Sequence, residues 1–403
     1  MFSVAFLMDL EEGHLLPSFA LAHSLLKAGY RVCYVSVEDN KELVIGQGFE
    51  FHAIFKDRYP RGYRDFYKAN NQLMNAGTTA GHYDYLHEIM SDSTMQQLPA
   101  ADLYIVSYFL RIEGLLLQYK YGIRMAVLTP FLRAPGSGIG MDSVEELMNM
   151  PPDVVMSIIQ FMQDLGRTPS SFYELVAPLE DCYEFITCVA ELEPDYTAST
   201  RNVYLGPCIR EQDSASSEIL KDIVDQSKKL IYVSLGSQMT GHSEFSDQLL
   251  QHLRLMMMRE EMAPFQVIFS RGTGHDGKDF TVEQNGRIVV CDWVPQVEVL
   301  KMSTAAVIHG GLGTIKECIY YGVPMIVCPF VRDQPLNAAR IEKLNLGVSL
   351  DMAAVSGQSL SERLLHLSDN EFIRGSIEKM RNVFMEVEHN NEGVRVIEQL
   401  LCV

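Results

Sequence analysis

One short turn constrains this chain more than any other feature. An apolar run ending at Val307-Ile308 is followed by His309-Gly310-Gly311-Leu312-Gly313-Thr314. A helix is then predicted from Thr314 to Tyr321, stopped by Gly322, before Pro324 opens an apolar strand over Met325 to Cys328. Strand, glycine-rich turn and helix in that order leave backbone N–H groups unpaired at the positive end of a helix dipole, an arrangement suited to a diphosphate. His309 at the mouth of the turn adds a side-chain donor. Glu317, one turn into the helix, can accept hydrogen bonds from a ribose diol. The ligand these residues imply is a nucleotide diphosphate.

The turn does not stand alone. Trp293-Val294-Pro295-Gln296 precedes it, and Glu317, Gly322-Val323-Pro324 and Asp333-Gln334 follow in order. A lone glycine pair is a weak signal, whereas five ordered elements are a strong one. Together they resemble the donor-binding signature of nucleotide-sugar glycosyltransferases of the GT-B fold. Within that group the pattern is most similar to bacterial enzymes that decorate small lipophilic natural products. Weaker similarity runs along most of the chain, through Gly13-His14, Val203 to Pro207 and Val233 to Ser237. The resemblance implies an α/β architecture of two Rossmann-like domains facing across a cleft, with a C-terminal helix crossing back to the first domain.

Composition agrees with that scale. A chain of 403 residues exceeds what one hydrophobic core holds, and its 47% apolar and 21% charged content suits a globular protein of two domains. The net charge of −19 argues against nucleic acid and anionic membrane surfaces as partners. The eight cysteines are scattered without a C-x-x-C pair, as expected of buried free thiols in a reducing cytoplasm. The chain enters a strand at its first residues with no basic leader, and no long uncharged apolar run suggests a membrane span. A cytoplasmic monomer or homodimer is expected.

The first forty residues read as a βαβ unit: strand Ser3 to Met8, helix Leu16 to Ala28, strand Arg31 to Val37. Later strands are expected at Leu103 to Val106, Met125 to Leu128, Phe185 to Val189 and Val203 to Leu205. A polar stretch then suggests a linker. The domains expected are an acceptor-binding half over 1–205, a linker over 206–229, a donor-binding half over 230–385, and a C-terminal helix over 386–403 packing back on the first half. The C-terminal helical region should break near Asn390-Asn391. Two insertions, 56–98 and 133 to about 173, are rich in Tyr, Phe and Met, which serve both core packing and an adaptable lipophilic cleft. Tyr67, Met74, Tyr108 and Met141 are the acceptor-side candidates.

Roles for the remaining residues come from the resemblance. It places His309, Gly310, Gly311, Gly313 and Thr314 at the diphosphate and Glu317 at the ribose. Trp293, the only tryptophan, becomes the shelf for the base, with Val294 and Gln296 lining that pocket. Asp333 and Gln334 hold sugar hydroxyls, and Gly236 and Ser237 close over the phosphates or sugar. Ordinary packing would explain any one of these residues alone. The sequence has no Asp-x-Asp, so leaving-group stabilisation is assigned to the turn with no metal and no cofactor beyond the UDP- or dTDP-sugar co-substrate.

His14, after Gly13 in the first strand-to-helix turn, is the candidate general base. Here the chain departs from the pattern it resembles. An aspartate about a hundred residues on is expected to orient that base, and Tyr108 stands in its place. Three readings stay open: an acceptor as acidic as a phenol that needs little base, a substitute carboxylate with Glu11 or Glu12 as the candidates, or a protein that binds without transferring. The function expected is inverting transfer of a hexose or deoxyhexose from a UDP- or dTDP-sugar to a hydroxyl of a lipophilic acceptor, phenols included. A nucleotide-sugar epimerase of the same fold and a non-catalytic nucleotide-sugar-binding partner are the alternatives. Glu11-Glu12-Gly13-His14 lacks the glycines of a nicotinamide-binding turn.

Overall fold

The computed structural model describes residues 1–66, 84–91, 98–193, 195–209, 218–236, 243–272 and 280–402. The chain divides into two compact units, Met1–Cys208 with Val387–Val403, and Ile209–Glu386. Each unit is built on one seven-stranded sheet among the described residues.

The first sheet comprises β1 (Ser3–Leu7), β2 (Arg31–Ser36), β3 (Glu50–Ala53), β4 (Leu103–Ser107), β5 (Met125–Thr129), β6 (Glu184–Ile186) and β7 (Asn202–Tyr204). All its pairings are parallel, in the order β3-β2-β1-β4-β5-β6-β7. Successive strand residues point to opposite faces, and both faces are covered, so these strands read as continuous apolar runs. Ala5, Leu7, Val35 and Val106 enter one core, packed by the helices Arg111–Tyr121, Ile139–Asn149, Pro152–Asp164 and Phe172–Glu180. Val4, Phe6, Tyr34 and Ile105 enter the other, packed by the helix Ser18–Lys27 and by Val394, Val396, Ile397 and Leu401 of the C-terminal helix Glu392–Cys402. The last residues of the chain thus complete the first unit. Burying four such side chains contributes roughly 1.5–3 kcal/mol each.

The second sheet comprises β8 (Lys229–Ser234), β9 (Phe265–Ser270), β10 (Phe280–Glu283), β11 (Ile288–Cys291), β12 (Ser303–Ile308), β13 (Met325–Val327) and β14 (Gly347–Ser349). Its order is β10-β11-β9-β8-β12-β13-β14, parallel except for β10 at one edge. In each sheet the chain reverses its direction of travel once, between β1 and β4 and between β8 and β12. The crevice beyond the carboxyl ends of such a strand pair is where open α/β sheets bind ligands.

Some expectations needed adjustment, whereas the break near Asn390-Asn391 and the buried free thiols are found as expected. The first helix is two: Glu12–Leu15, then Ser18–Lys27 with Pro17 at its cap. The polar stretch 206–229 contains the helix Glu218–Ile223, since Leu220 and Ile223 supply an apolar face that its polar composition masks. The C-terminal region is two helices, Glu371–Asn390 and Glu392–Cys402, separated by Asn391 at φ 49°. The Met-rich insertion over 133–173 folds into two helices that divide its residues. Val144, Leu147, Phe161 and Met162 are core, whereas Met141, Met148 and Met156 are exposed. Seven of the eight cysteines are buried and Cys402 is exposed, all as free thiols.

Candidate active site

In the first unit, β1 ends at Leu7, and the chain passes through Asp9 into the short helix Glu12–Leu15 that carries His14. This brings His14 Nδ1 to 2.9 Å from Asp9 Oδ1. The carboxylate is itself fixed. The Glu11 backbone N–H donates to Oδ1 at 2.9 Å, and the Ser107 hydroxyl, at the end of β4, donates to Oδ2. The Asp9 carbonyl accepts from Asn40 Nδ2 at 2.8 Å. Burial alone would raise the Asp9 carboxyl. The His14 imidazole beside it and these hydrogen bonds win, holding it below the usual carboxylate range. The Phe109 ring stacks on the imidazole, with centroids 4.1 Å apart and planes within 10°.

Of the readings left open, a substitute carboxylate fits this geometry, with the residue corrected from Glu11 or Glu12 to Asp9. The partner is Asp9, one residue position neither candidate occupies. Glu12 pairs with Arg64 instead, and Arg64 also donates to the Leu10 carbonyl at 3.1 and 3.0 Å. Tyr108 turns away from the imidazole. It is buried, its hydroxyl donates to Asp142 Oδ2 at 2.7 Å, and the Arg111 guanidinium lies 4.0 Å over its ring. Asp142 in turn accepts from Arg133 Nη1 at 2.8 Å, and Arg133, wholly buried, also pairs with Glu184. Position 108 therefore anchors the helix Ile139–Asn149 to the sheet. Met141 projects from that helix and is 54% exposed. A pocket of about 410 Å³ lies farther along it, lined by Met148, Ile158, Met162, Phe172 and Tyr173 among others. Tyr67 and Met74 lie outside the described residues.

In the second unit, Ile308 of β12 pairs with Ser234 of β8, so the turns that follow these strands are neighbours. His309 sits in the gap between them. A Cβ at Gly236, where φ is +77°, would lie 2.5 Å from the imidazole Cε1, and one at Gly311 would lie 2.5 Å from Nε2. Only glycine at both positions lets the ring fit. Burial pushes the His309 imidazole down to about 4, against the opposing pull of Asp333 and a Ser234 backbone hydrogen bond. The ring is thus neutral near pH 7 and offers a dipolar N–H, not a full positive charge. Gly311 caps the helix Leu312–Tyr320, which begins two residues before the expected Thr314, and no side chain caps its first turn. Gly310 at φ +96° sets the bend, and Gly313 opens to free space where a Cβ would meet nothing within 4 Å.

Around that helix, Gln296 joins three residues. Its Oε1 accepts from the Tyr232 hydroxyl at 2.7 Å, and its Nε2 donates to Thr314 Oγ1 at 3.3 Å and to Glu317 Oε2. Burial raises the Glu317 carboxyl, with Gln296 and Lys316 opposing. Gln334 is buried, and its Oε1 accepts from the N–H groups of Phe330 and Val331 at 2.9 and 3.1 Å, so that oxygen holds its own loop. Asp333 accepts from Asn337 Nδ2 at 2.8 Å, and the same amide donates to the Gly310 carbonyl at 3.0 Å. Val294 is core, while Trp293 between β11 and the helix Gln296–Met302 is half-buried. Ser237 lies outside the described residues.

Asp9, Ser107 and Phe109 are the residues that sequence reasoning missed. The available signal was an aspartate at the end of β1, five residues before His14.

Residues 188–387 match the family of UDP-glucoronosyl and UDP-glucosyl transferases. The UDP-glucosyltransferase YdhE of Bacillus subtilis is 23% identical over 97% of this chain and 96% of its own length. The NDP-glycosyltransferase YjiC of Bacillus licheniformis is 24% identical over 97% and 95%. Among solved structures, a kitacinnamycin glycotransferase superposes with a TM-score of 0.77 at 21% identity, covering 99% of this chain and 98% of that one. The calicheamicin glycosyltransferase CalG4 gives 0.74 at 20%, covering 100% and 98%. Among the described residues no helix is long and apolar enough to cross a membrane. Two mostly parallel sheets, a terminal helix returning to the first unit and the family pattern over the second identify the chain as a glycosyltransferase of the GT-B fold that draws on a nucleotide sugar.

Proposed function

We propose that the protein is an inverting glycosyltransferase that moves a hexose or deoxyhexose from a UDP- or dTDP-sugar to a hydroxyl of a lipophilic small molecule. The second unit holds the donor. Backbone N–H groups of the helix Leu312–Tyr320 and the neutral His309 ring take the diphosphate, and stabilise the charge that builds there as it leaves. Glu317, aligned by Gln296, takes the ribose diol, and Trp293 carries the base. The first unit supplies His14 as base for the acceptor hydroxyl. One base and one displacement lead to inversion at the anomeric carbon. The metal-independent reading rests on the uncapped helix terminus and the missing Asp-x-Asp motif. The Met- and aromatic-lined pocket beside the helix Ile139–Asn149 favours a lipophilic acceptor.

The observation that carries this reading is the Asp9–His14 pair, 2.9 Å apart. A protein that merely binds a nucleotide sugar has no use for an imidazole whose Nδ1 is held by a buried carboxylate. An epimerase would act on the donor alone. Release of nucleoside diphosphate from UDP- and dTDP-glucose, followed with and without a panel of phenols, macrolactones and flavonoids, tests the assignment. Release that requires an acceptor, with a glycoside of inverted configuration formed, is expected. Release or interconversion of the donor without acceptor would refute it.

A further inference from the structure

We propose that Asn337 is a positioning residue for the donor turn, holding the Gly310–Gly311 peptide so that the Gly311 N–H faces the diphosphate. The inference rests on the reading that this turn takes the diphosphate. Asn337 lies in the helix Gln334–Lys343 and is 1% exposed. Its Nδ2 donates to the Gly310 carbonyl at 3.0 Å and to Asp333 Oδ2 at 2.8 Å. A carbonyl and a carboxylate only accept, so the amide nitrogen, and not its oxygen, must face them. The Asn337 Oδ1 is buried without a hydrogen-bond partner among the described residues, which by itself is destabilising. Packing alone would favour an apolar side chain here, so the two donated bonds are what the amide contributes.

Peptide geometry gives those bonds their consequence. In a planar trans peptide the C=O and the N–H point in opposite directions. Drawing the Gly310 carbonyl toward Asn337 therefore turns the Gly311 N–H the other way, away from the helix Gln334–Lys343. That N–H is not used by the next helix, whose first bond runs from the Ile315 N–H to the Gly311 carbonyl. The approach is close because Gly310 has no side chain: a Cβ there would lie 2.9 Å from Val327 Cγ1 and 3.3 Å from the Gln334 carbonyl oxygen. A peptide between two glycines has little steric bias against turning over. Without the Asn337 bond it would be at liberty to present its carbonyl oxygen to the diphosphate, exchanging attraction for repulsion. The second amide hydrogen holds Asp333, so one side chain fixes both the phosphate turn and the residue assigned to sugar hydroxyls. During transfer the acceptor oxygen bonds to the anomeric carbon as the bond from that carbon to the diphosphate oxygen breaks. The electron pair leaves with the nucleoside diphosphate, and the hydroxyl proton passes to the base. An N–H aimed at the diphosphate gains strength as that charge builds, so Asn337 acts more on kcat than on donor binding.

Gly310-Gly311 is the only Gly-Gly pair in the sequence. Isotopic labelling of glycine carbonyl carbon and amide nitrogen therefore singles out the Gly311 amide in an NMR spectrum of the full-length protein. UDP and dTDP are titrated into wild type, Asn337→Leu and Asn337→Asp, with uridine and thymidine as ligands that lack the diphosphate. In wild type the Gly311 resonance should move with the nucleoside diphosphate and stay in place with the nucleoside. Asn337→Leu keeps the size of the side chain and removes the donor. It should weaken diphosphate binding roughly tenfold, leave nucleoside binding unchanged and lower kcat with any acceptor by about 10²-fold. Asn337→Asp, which sets an acceptor against two acceptors, should lose more. In both variants the Gly311 resonance should no longer respond to diphosphate. Wild-type diphosphate affinity and kcat in Asn337→Leu would overturn this inference alone. Equal weakening of nucleoside and diphosphate, the mark of a merely structural role, would do the same. Should both variants fail to fold, the wild-type resonance decides: a response to bound diphosphate supports the inference, and none overturns it. A wild type that binds neither nucleoside diphosphate would overturn the reading of the donor turn, and this inference with it.

Discussion

Two histidines follow strands at the reversal points of the two sheets, and their surroundings make them different tools. His14 is partly exposed, bonded to an ionised carboxylate and stacked on an aromatic ring. His309 is wedged between two glycine Cα atoms and pushed by burial to about 4, a setting that refuses a proton. On the proposed function, the first imidazole takes a proton during the reaction, and the second stays neutral and donates a hydrogen bond to the leaving diphosphate. That proposal divides the same side chain, at similar turns, between base and oxyanion donor according to its surroundings.

That contrast can be broken most sharply at His309. His309→Ala should lower kcat with any acceptor by about 10²–10³, the usual cost of losing one preorganised donor to a developing anion. Gly236→Ala should reproduce much of the loss, because the added methyl would sit 2.5 Å from the ring at a φ of +77°. Steady-state kinetics over a range of donor concentrations checks both. A variant of His309 with unchanged kcat and KM would remove it from the donor site.

Next in size is Tyr108→Asp. If the carboxylate partner were missing, this change would supply one and help weakly acidic acceptors. With Asp9 already paired to His14, it should bring no gain. It should instead cost about 3 kcal/mol of stability, since the ring under Arg111 and the hydroxyl bond to Asp142 are both lost. Thermal denaturation and transfer rates together check this, and a faster enzyme would return position 108 to the mechanism. Glu317→Ala should raise donor KM by roughly tenfold with little change in kcat, because ribose contacts are similar before and during transfer.

The smallest effects are on stability against pH, and they should have opposite signs in the two units. His309 has a folded pKa lowered from about 6.5 to about 4, so its contribution is present above 6.5 and is lost as pH falls toward 4. Glu113, buried in the first unit, is raised by burial and by Glu146 to about 8. Its contribution is full below about 4.5 and is lost as pH rises through 8. Melting curves of wild type and Glu113→Gln should therefore diverge on the alkaline side, with the variant flatter. Parallel curves would mean Glu113 does not titrate in the folded state.

The donor turn was legible in sequence because its chemistry is local. Strand, glycines and helix lie within twenty residues, and Gly310 and Gly311 are needed where they stand. The sheets were legible for a similar reason, since strands buried on both faces leave continuous apolar runs. What sequence did not reveal depends on tertiary approach. Asp9 is informative only once β1 ends where it does and a one-turn helix folds His14 back, and Ser107 only once β4 lies beside β1. Gln334 looked like a sugar ligand, yet its oxygen closes a loop whose geometry no periodicity reports. Short edge elements such as β3, β10 and β14 carry too few apolar residues to stand out.

The division of labour between the two histidines is tested most directly by transfer rates across acceptors of graded hydroxyl acidity, from aliphatic alcohols to acidic phenols. The account predicts that His14→Ala steepens the dependence of log kcat on acceptor acidity, sparing the most acidic phenols, whereas His309→Ala lowers every acceptor by about the same factor. Parallel losses in both variants, or a change of slope on removing His309 and none on removing His14, would contradict it.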